Sequence, residues 1–236
     1  MIPAIVFSNN SPEILKAFLE SSKKQEVNLF EYLVLYNSDI SNEGRYLDVF
    51  KEYQISKFTK WAIFKEDLLA LMAQGEPGLI AFFKDTNYFF KKIPAFDINS
   101  IMSDEDVFCF SLGLGRNVKH CYSNDVYNIL LNEEVNGENT IKWNWVKHYL
   151  DFGRPLELGA GHIFHKKEIT KMFKKWSYTD IMSLEESFDN LDYYPKEMMS
   201  SFNESVLVDI FLKEGSSLKD VEAYDFQSLD RKVVQI

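Results

Sequence analysis

The segment at residues 78–90, GLIAFFKDTNYFF, constrains the fold of this chain more than any other. A short apolar run at residues 79–83 passes directly into the polar turn KDTN at residues 84–87, and aromatic residues then resume. Such a run between turn residues is typical of a strand that is buried on both faces of a sheet. Ligands of open α/β sheets bind beyond the carboxyl ends of such strands. The segment therefore predicts a buried strand with a polar site at its end, and a polar hairpin tip at the surface is the alternative.

Strand and helix patterns alternate over residues 1–90. Residues 4–7 and 30–36 are apolar enough for buried strands, and each run ends in a polar turn. Ser11 followed by Pro12 is typical of a helix start, because serine caps free N–H groups and proline suits the first turn. Two more helix patterns follow, at residues 44–53 and 60–73. This alternation predicts the α/β class, with a mostly parallel central sheet flanked by helices.

The part of the chain after Pro94 has a less regular pattern. Residues 107–112 predict another buried strand, residues 125–132 a short helix, and residues 167–176 a basic helix. The sequence contains no internal repeat, low-complexity tract or clear linker. We therefore expect one compact domain with an irregular second half.

Composition and charge exclude several classes of function. The 236 residues are 46% hydrophobic and 15% aromatic, which is enough apolar material for a sizeable core. The formal net charge of −10 argues against nucleic acid as the main partner, because phosphate backbones bind to basic surfaces. No apolar run approaches the roughly 18 residues of a membrane span, and no signal peptide pattern is visible. These features lead us to expect a soluble cytoplasmic protein.

The two cysteines, Cys109 and Cys121, lie in apolar sequence. We expect buried thiols there rather than a disulfide or a metal-binding pair. The sequence also lacks the HExxH and C-x-x-C motifs, which argues against a metalloprotease or a redox enzyme.

Six short motifs occur in order along the chain: VFSNNSPEILKAFLES at 6–21, VLYNSD at 34–39, FKEDLL at 64–69, FFKDTNYF at 82–89, FSLGLGRN at 110–117 and GHIF at 161–164. In their order and spacing the chain resembles the nucleotide-diphospho-sugar transferase superfamily, the GT-A type of glycosyltransferase, and in particular a group of small bacterial glycosyltransferase-like proteins. The resemblance implies a single GT-A-like domain over residues 1–236, with a nucleotide-binding half at 1–93 and an acceptor-side half at 94–236. It implies transfer of a sugar from a UDP-type nucleotide-sugar donor to an unknown acceptor.

In this family the loops after the first two strands hold the nucleotide base and ribose. Carried over, this points to Ser8, Asn9, Asn10, Tyr36 and Asn37. Short amide and hydroxyl side chains can fix the edges of uracil and ribose, and a tyrosine ring can stack on the base. Turn formation and helix capping are the alternative for the asparagines.

Two basic residues are further candidates for nucleotide binding. The resemblance implies that Lys65, in the FKEDLL motif, pairs with a phosphate or with Asp85, whereas a solvated helix face is the alternative. Arg116 follows Gly113 and Gly115 in a loop that allows close backbone approach, and it is a candidate phosphate partner.

The resemblance also implies a divalent metal ion. Asp85 and Asn87 occupy the positions of the family's D-x-D element, where Mn²⁺ or Mg²⁺ would be held together with the diphosphate, and His162 is the third candidate ligand. The chain departs from the pattern at Asn87, because an amide keeps an oxygen ligand but removes a full charge. It also lacks an acid just before the Gly161–His162 pair. We therefore expect weakened metal affinity or weakened catalysis, and a packed histidine is the alternative for His162.

Glu185 and Glu186 are the candidates for a general base in an inverting displacement, since each could accept the proton of the acceptor hydroxyl. First-turn acids that complement a helix dipole are the alternative. Two other functions remain open at this point. The chain could be a nucleotide-sugar-binding protein of the same fold without turnover, or an interaction module that uses Trp143, Trp145 and Tyr149 as anchors.

Overall fold

The computed structural model describes residues 1–118, 139–146, 158–189 and 196–211, with short segments at 120–121, 126–127, 134–135, 220–221 and 233–235. Its helices and strands, in chain order, are β1 (Ile2–Asn9), α1 (Pro12–Lys24), β2 (Phe30–Asn37), α2 (Ile40–Glu52), β3 (Lys57–Lys60), α3 (Phe64–Ala73), β4 (Leu79–Lys84), β5 (Asn87–Phe89), α4 (Ile98–Met102), β6 (Val107–Ser111), β7 (His120–Cys121), β8 (Val126–Tyr127), β9 (Glu134–Val135), β10 (Thr140–Asn144), β11 (Ala160–His165), α5 (Lys166–Lys175), α6 (Ile181–Glu186), β12 (Met198–Phe202), β13 (Leu207–Phe211) and β14 (Val233–Gln235).

A nine-stranded sheet forms the centre of the molecule, in the order β3-β2-β1-β4-β11-β6-β12-β10-β9. The strands β3, β2, β1 and β4 are mutually parallel, and β6 and β12 are parallel to each other. Within this sheet, β11 and β10 run against the direction that the rest share. The predicted α/β class, with a mostly parallel central sheet and flanking helices, is confirmed. A second sheet, β14-β13-β5, lies beside it.

The two faces of the central sheet bury different side chains. Because successive residues of a strand point to opposite faces, Ile5 and Phe7 of β1 join one hydrophobic cluster and Val6 joins the other. The first cluster contains the apolar residues of α3, α5 and α6, and we call this side the α3 face. The second contains those of α1, α2 and α4, and we call it the α1 face. Apolar side chains cover the sheet on both sides, as the sequence of β4 predicted.

The helices of the first half begin where polar capping residues stand. Ser11 and Pro12 open α1 as predicted. The helix predicted at 44–53 begins earlier, at Ile40, because the Asp39 side chain caps it by accepting from the Asn42 amide at 2.9 Å. The helix predicted at 60–73 begins at Phe64, and the half-exposed edge strand β3 before it was not predicted.

The second half contains both confirmed and corrected elements. The strand predicted at 107–112 is β6, and the basic helix predicted at 167–176 is α5. The prediction of a short helix at 125–132 is wrong for residues 126–127, because these two residues form strand β8 and pair with β7. Strand β10 was not predicted, since its alternation of buried and half-buried residues is short.

Cys109 is a buried free thiol, as expected, and its burial raises the thiol pKa. The side chain of Cys121 lies outside the described residues. In the part of the chain that the structure describes, no helix has both the length and the apolar character that a membrane crossing requires.

Candidate functional site

The carboxyl ends of β1, β2 and β4 meet at one edge of the central sheet, which we call the rim. Asn9 at the end of β1 is in register with Asn37 at the end of β2. On the other side of β1, Phe7 is in register with Lys84, and the Asp85 amide donates to the Phe7 carbonyl at 2.9 Å. The polar residues that follow these three strands are therefore neighbours, as the sequence predicted.

Asp85 is the buried centre of the rim, with 7% of its surface exposed. Its Oδ2 atom accepts hydrogen bonds from Ser8 Oγ at 2.6 Å and from Ser11 Oγ at 2.7 Å. The Tyr46 hydroxyl lies 2.6 Å from Ser8 Oγ and donates to it, because the single hydroxyl proton of Ser8 goes to Asp85. Burial raises the pKa of the Asp85 carboxyl, and the two serine hydroxyls oppose that shift. Ser8 and Asp85 thus join β1, β4 and α2.

An array of polar side chains, which we call the amide shelf, covers the ends of β1 and β2 beside Asp85. It consists of Asn9, Asn10, Asn37, Asp39 and Asn42, all of them exposed or half-buried. Asn37 Nδ2 donates to Asn9 Oδ1 at 3.3 Å, and Asn10 Nδ2 donates to Asp39 Oδ2 at 3.1 Å. Asn42 Nδ2 donates to Asn10 Oδ1 at 2.9 Å. The shelf presents amide donors, amide acceptors and one carboxylate to solvent.

Two members of the amide shelf were not among the predicted site residues. Asp39 and Asn42 stand at the start of α2, where the VLYNSD motif ends. Hydrogen bonds from Ser41 and Asn10 lower the pKa of the Asp39 carboxyl, so it is ionised at neutral pH. The signal in the sequence was a capping aspartate directly after a strand, but capping alone explains such a residue equally well.

The Tyr36 ring is packed inside the α1 face, with 3% of its surface exposed. Its centroid lies 4.7 Å from that of Tyr46 and 5.2 Å from that of Phe50, and its hydroxyl donates to Glu43 at 2.9 Å. Burial, followed by the nearby Glu43 carboxylate, raises the pKa of Tyr36 to about 12. The structure corrects the expectation that this ring stacks on a base, because neither face of it is open.

Lys84 and Glu185 form an ion pair at the end of β4, on the α3 face. The Lys84 Nζ atom lies 2.9 Å from Glu185 Oε1 and 3.1 Å from Oε2. The Gly159 amide also donates to Glu185, at 3.4 Å. Of the two predicted general bases, Glu185 is thus held at the rim. Glu186 is exposed and points away from Glu185, since adjacent helical residues are about 100° apart.

Asn87 turns its side chain away from the rim, and 1% of its surface is exposed. Its Oδ1 atom accepts from the Lys84 amide at 3.1 Å, and its Nδ2 atom donates to Asp209 Oδ1. Thr86 Oγ1 donates to the same carboxylate oxygen at 3.2 Å. The turn after β4 is therefore fastened to β13 of the second sheet.

His162 lies on the opposite face of the sheet from the Asp85 carboxylate. Its ring is completely buried and packs edge-on against Phe164 on the α3 face, whereas Asp85 faces Ser8 and Tyr46 on the α1 face. His162 is in register with Phe82, three residues before Asp85, which corresponds to roughly 10 Å along the strand. A bulge at Gly161, where φ is 70°, sets the side-chain alternation of this strand.

The predicted metal ligands therefore do not converge. Asp85, Asn87 and His162 point respectively to the α1 face, to the second sheet and to the α3 face. Among the described residues, no group of three His, Cys, Asp or Glu side chains is arranged to hold a metal ion. The residues present do not fit the divalent metal site that the resemblance implied, because His162 lies on the opposite face of the sheet from Asp85 and the pairing of β5 with β13 turns Asn87 to Asp209.

Of the two predicted phosphate partners, Lys65 is turned away from Asp85, and Arg116 follows a strand that ends at the same edge of the sheet, two strands from β4. Lys65 Nζ donates to the carbonyls of Trp176 at 2.6 Å and Lys174 at 3.2 Å, and so caps the end of α5 rather than reaching Asp85. Arg116 is half-buried beyond the end of β6, where its amide donates to the Asn203 carbonyl at 2.8 Å. The preceding Gly115 packs against the backbone of Ser205, where a Cβ atom would not fit. Close packing therefore accounts for a glycine at this position, and no ligand is needed to explain it.

The proposed interaction anchors are also corrected. Trp143 and Trp145 are buried in the core at 0% and 1% exposure, so neither can contact a partner. Tyr149 lies outside the described residues.

No protein-family model matches the chain, and no curated protein matches it in sequence. Solved structures do match its fold. The structure of S. aureus TarS 1-349 in complex with UDP-GlcNAc has a TM-score of 0.56 and 12% identity, over 93% of this chain and 61% of that chain. The complex of the same protein with UDP also has a TM-score of 0.56 and 12% identity, over 88% and 60%. A further structure of S. aureus TarS has a TM-score of 0.51 over 88% of this chain and 36% of that chain.

These similarities establish the fold. The chain has the GT-A type of fold found in the nucleotide-diphospho-sugar transferase superfamily, as the sequence motifs predicted. It spans about 60% of the length of TarS 1-349 and 36% of the longer TarS chain.

Proposed function

We propose that this chain binds a UDP-type nucleotide sugar at the rim and transfers the sugar to an acceptor. The observation that carries the proposal is the amide shelf, which lies beside a buried carboxylate where open α/β sheets bind ligands. The matching fold of a solved protein that holds UDP-GlcNAc supports it.

The chemistry of the amide shelf suits a uracil base. Uracil offers one N–H donor between two carbonyl acceptors, and the shelf combines an ionised carboxylate, Asp39, with amide donors from Asn9, Asn10 and Asn42. Ser8 and Asp85 are too buried to form a surface on which the base could lie. They instead hold the loop after β1 in place. Asn37 positions Asn9 through its side-chain amide.

Glu185 is the best-placed general base for the transfer. In this step the oxygen of an acceptor hydroxyl bonds to the anomeric carbon of the sugar, and the Glu185 carboxylate takes the proton of that hydroxyl. The bond from that carbon to the diphosphate oxygen breaks, and the electron pair leaves with the nucleoside diphosphate. The negative charge on this leaving group requires a cation or hydrogen-bond donors at the rim.

A nucleotide-binding protein without turnover is the second candidate function. The observation that favours it is the amide at Asn87, which replaces an acid of the family pattern and is tied to Asp209. Such a protein would bind the nucleotide but would neither transfer nor hydrolyse the sugar.

Calorimetric titration with UDP, GDP, uridine and UDP-sugars, each in EDTA and in Mn²⁺, tests the proposal. We expect saturable binding of UDP and weaker binding of GDP, because guanine does not present the donor and acceptor pattern of uracil to the shelf. Absence of binding of every nucleotide in both conditions would refute the function. Release of UDP from UDP-sugars, measured with and without candidate acceptors, then separates a transferase from a binding protein.

A further inference from the structure

The diphosphate of a bound nucleotide needs positive charge near the end of β4. In the GT-A pattern a divalent ion supplies that charge, but Asn87 and His162 point away from Asp85 in this chain. We propose that the Lys84 ammonium replaces the metal ion, so that the nucleotide diphosphate is bound without a divalent cation. This inference rests on the proposed function.

Lys84 stands at the point of the rim where a diphosphate would lie. It is the last residue of β4, immediately before Asp85, and it is in register with Phe7 of β1. Neighbouring strands are about 4.8 Å apart, so the Lys84 backbone lies one strand away from the residues that lead into the amide shelf. In this proposal, the phosphates of a nucleoside on the shelf point toward β4.

The Lys84 side chain lies in a site shaped for it. A Cβ atom at position 159 would lie 2.3 Å from Lys84 Cγ and 3.0 Å from its Cε, so a glycine is required where the lysine stem crosses the backbone. The Lys84 amide donates to the Gly159 carbonyl at 3.1 Å, which fixes the two strands together. Gly159 therefore makes room for this lysine.

Glu185 holds the ammonium at the rim, with side-chain exposures of 26% for Lys84 and 18% for Glu185. Partial shielding from water strengthens the attraction between a cation and a phosphate. By contrast, Lys60 at the end of β3 pairs with Glu43 at 40% and 36% exposure, where solvent screens the pair more strongly. Lys65 is bonded to the carbonyls that end α5.

The ion pair also connects binding to the chemical step. When the diphosphate arrives, the Lys84 ammonium exchanges part of its contact with Glu185 for the phosphate oxygens. The Gly159 amide keeps Glu185 at the rim. The Glu185 carboxylate is then available to take the proton of the acceptor hydroxyl. No covalent bond changes in this exchange.

The test compares UDP and uridine binding by calorimetry in EDTA and in Mn²⁺, using the full chain and three variants. Lys84→Met removes the charge and keeps most of the stem, and Lys84→Arg keeps the charge. Lys57→Met is the matched control. Lys57 Nζ lies 2.6 Å from Glu31 Oε1, and both side chains are 32% exposed. Lys57 stands at the start of β3, at the edge of the sheet opposite the rim.

We expect the unmodified protein to bind UDP with equal affinity, within about twofold, in EDTA and in Mn²⁺. Lys84→Met should weaken UDP binding by about tenfold or more and leave uridine binding unchanged, whereas Lys84→Arg and Lys57→Met should retain UDP binding. Unchanged uridine binding shows that a variant is folded.

Two results overturn the inference and leave the proposed function standing. One is UDP binding by the unmodified protein that requires Mn²⁺, a measurement that needs no variant. The other is normal binding of both UDP and uridine by Lys84→Met. Failure of the unmodified protein to bind UDP or uridine in any condition overturns the proposed function itself, and the inference with it.

Discussion

Ser11 is the N-cap residue of α1, yet its hydroxyl donates to Asp85 Oδ2 at 2.7 Å, across 74 positions of sequence, and makes no capping bond to its own helix. A serine before a helix normally satisfies one of the helix's own N–H groups. Here the tertiary contact prevails, because a buried carboxylate without donors would cost more than an uncapped amide near solvent. The loop after β1 is thereby locked to the end of β4.

Removing that hydroxyl should destabilise the fold. We expect Ser11→Ala to lower the free energy of unfolding by about 1–3 kcal/mol at neutral pH, as is usual for a hydrogen bond to a charged group. Ser103→Ala is the control, because it removes an exposed bond to the Ser100 carbonyl at 2.7 Å. Denaturant titration measures the free energy of unfolding of both variants. Equal losses would show that the Ser11–Asp85 bond stabilises the fold no more than an exposed bond does.

The carboxylate of the amide shelf should determine base recognition. Asp39→Asn keeps a capping side chain for α2 but removes the charge, and we expect UDP affinity to fall by about tenfold. Asp97→Asn is the matched control, since Asp97 caps α4 through the amides of Asn99 and Ser100. Calorimetry with UDP and uridine measures the effect. Unchanged binding of both ligands would contradict the role of Asp39 in base recognition.

Glu185 and Glu186 are separable by mutation. Glu185→Gln should slow sugar transfer by about 10²–10⁴-fold, because the amide cannot accept the proton, while UDP binding should not weaken. Glu186→Gln should change the rate little, since that side chain is exposed and directed elsewhere. Steady-state rates of UDP release report the difference. The reverse outcome would assign the base to Glu186.

Restoring the acid of the D-x-D pattern should damage this protein. Asn87→Asp would place a carboxylate against Asp209, and like charges at that distance in a buried site should cost about 2–3 kcal/mol of unfolding free energy. Exchanging both residues, as Asn87→Asp with Asp209→Asn, should recover much of that loss. Thermal unfolding of Asn87→Asp, Asp209→Asn and the double variant measures the coupling. Asn87→Asp with normal stability and new Mn²⁺-dependent UDP binding would contradict our account of the turn.

Acid should destabilise the start of α2 through Glu43. Its carboxylate accepts from Lys60 Nζ and Ser38 Oγ at 2.5 Å each, and from Tyr36 at 2.9 Å. These bonds, that of Lys60 foremost, lower the Glu43 pKa from 4.5 to about 2. Because the folded pKa lies below the unfolded one, this stabilisation is present above about pH 4.5 and is lost as the pH falls toward 2.

Glu43→Gln should therefore be less stable than the unmodified protein at pH 7, and the two should converge as the pH falls from about 4.5 to about 2. Glu52→Gln, which breaks an exposed pair with Lys16, should run parallel to the unmodified protein throughout. Thermal unfolding across this pH range tests both. A constant difference between Glu43→Gln and the unmodified protein would contradict the assignment.

The sequence predicted the first half of the fold well and the site only in part. It located the ends of β1, β2 and β4 because apolar runs and polar turns are local signals, and it therefore placed Ser8, Asn9, Asn10, Asn37 and Asp85 at one rim. It missed Asp39 as a shelf residue and Lys84 altogether. A capping aspartate and a lysine beside a turn have common local explanations, and their neighbours in space are distant in sequence.

The sequence alone determined the α/β class and the edge of the sheet that carries the polar residues, since these follow from local periodicity and turn chemistry. The GT-A type of fold was implied by the resemblance of six short motifs to a known superfamily. Only the tertiary structure decided which way each side chain points. Strand alternation and the bulge at Gly161 turn His162 to the α3 face, and pairing with β13 turns Asn87 to Asp209. Lys84 meets Glu185 across 101 positions because β4 and α6 pack together. Such pairings depend on register and packing between distant segments, and no local pattern encodes them.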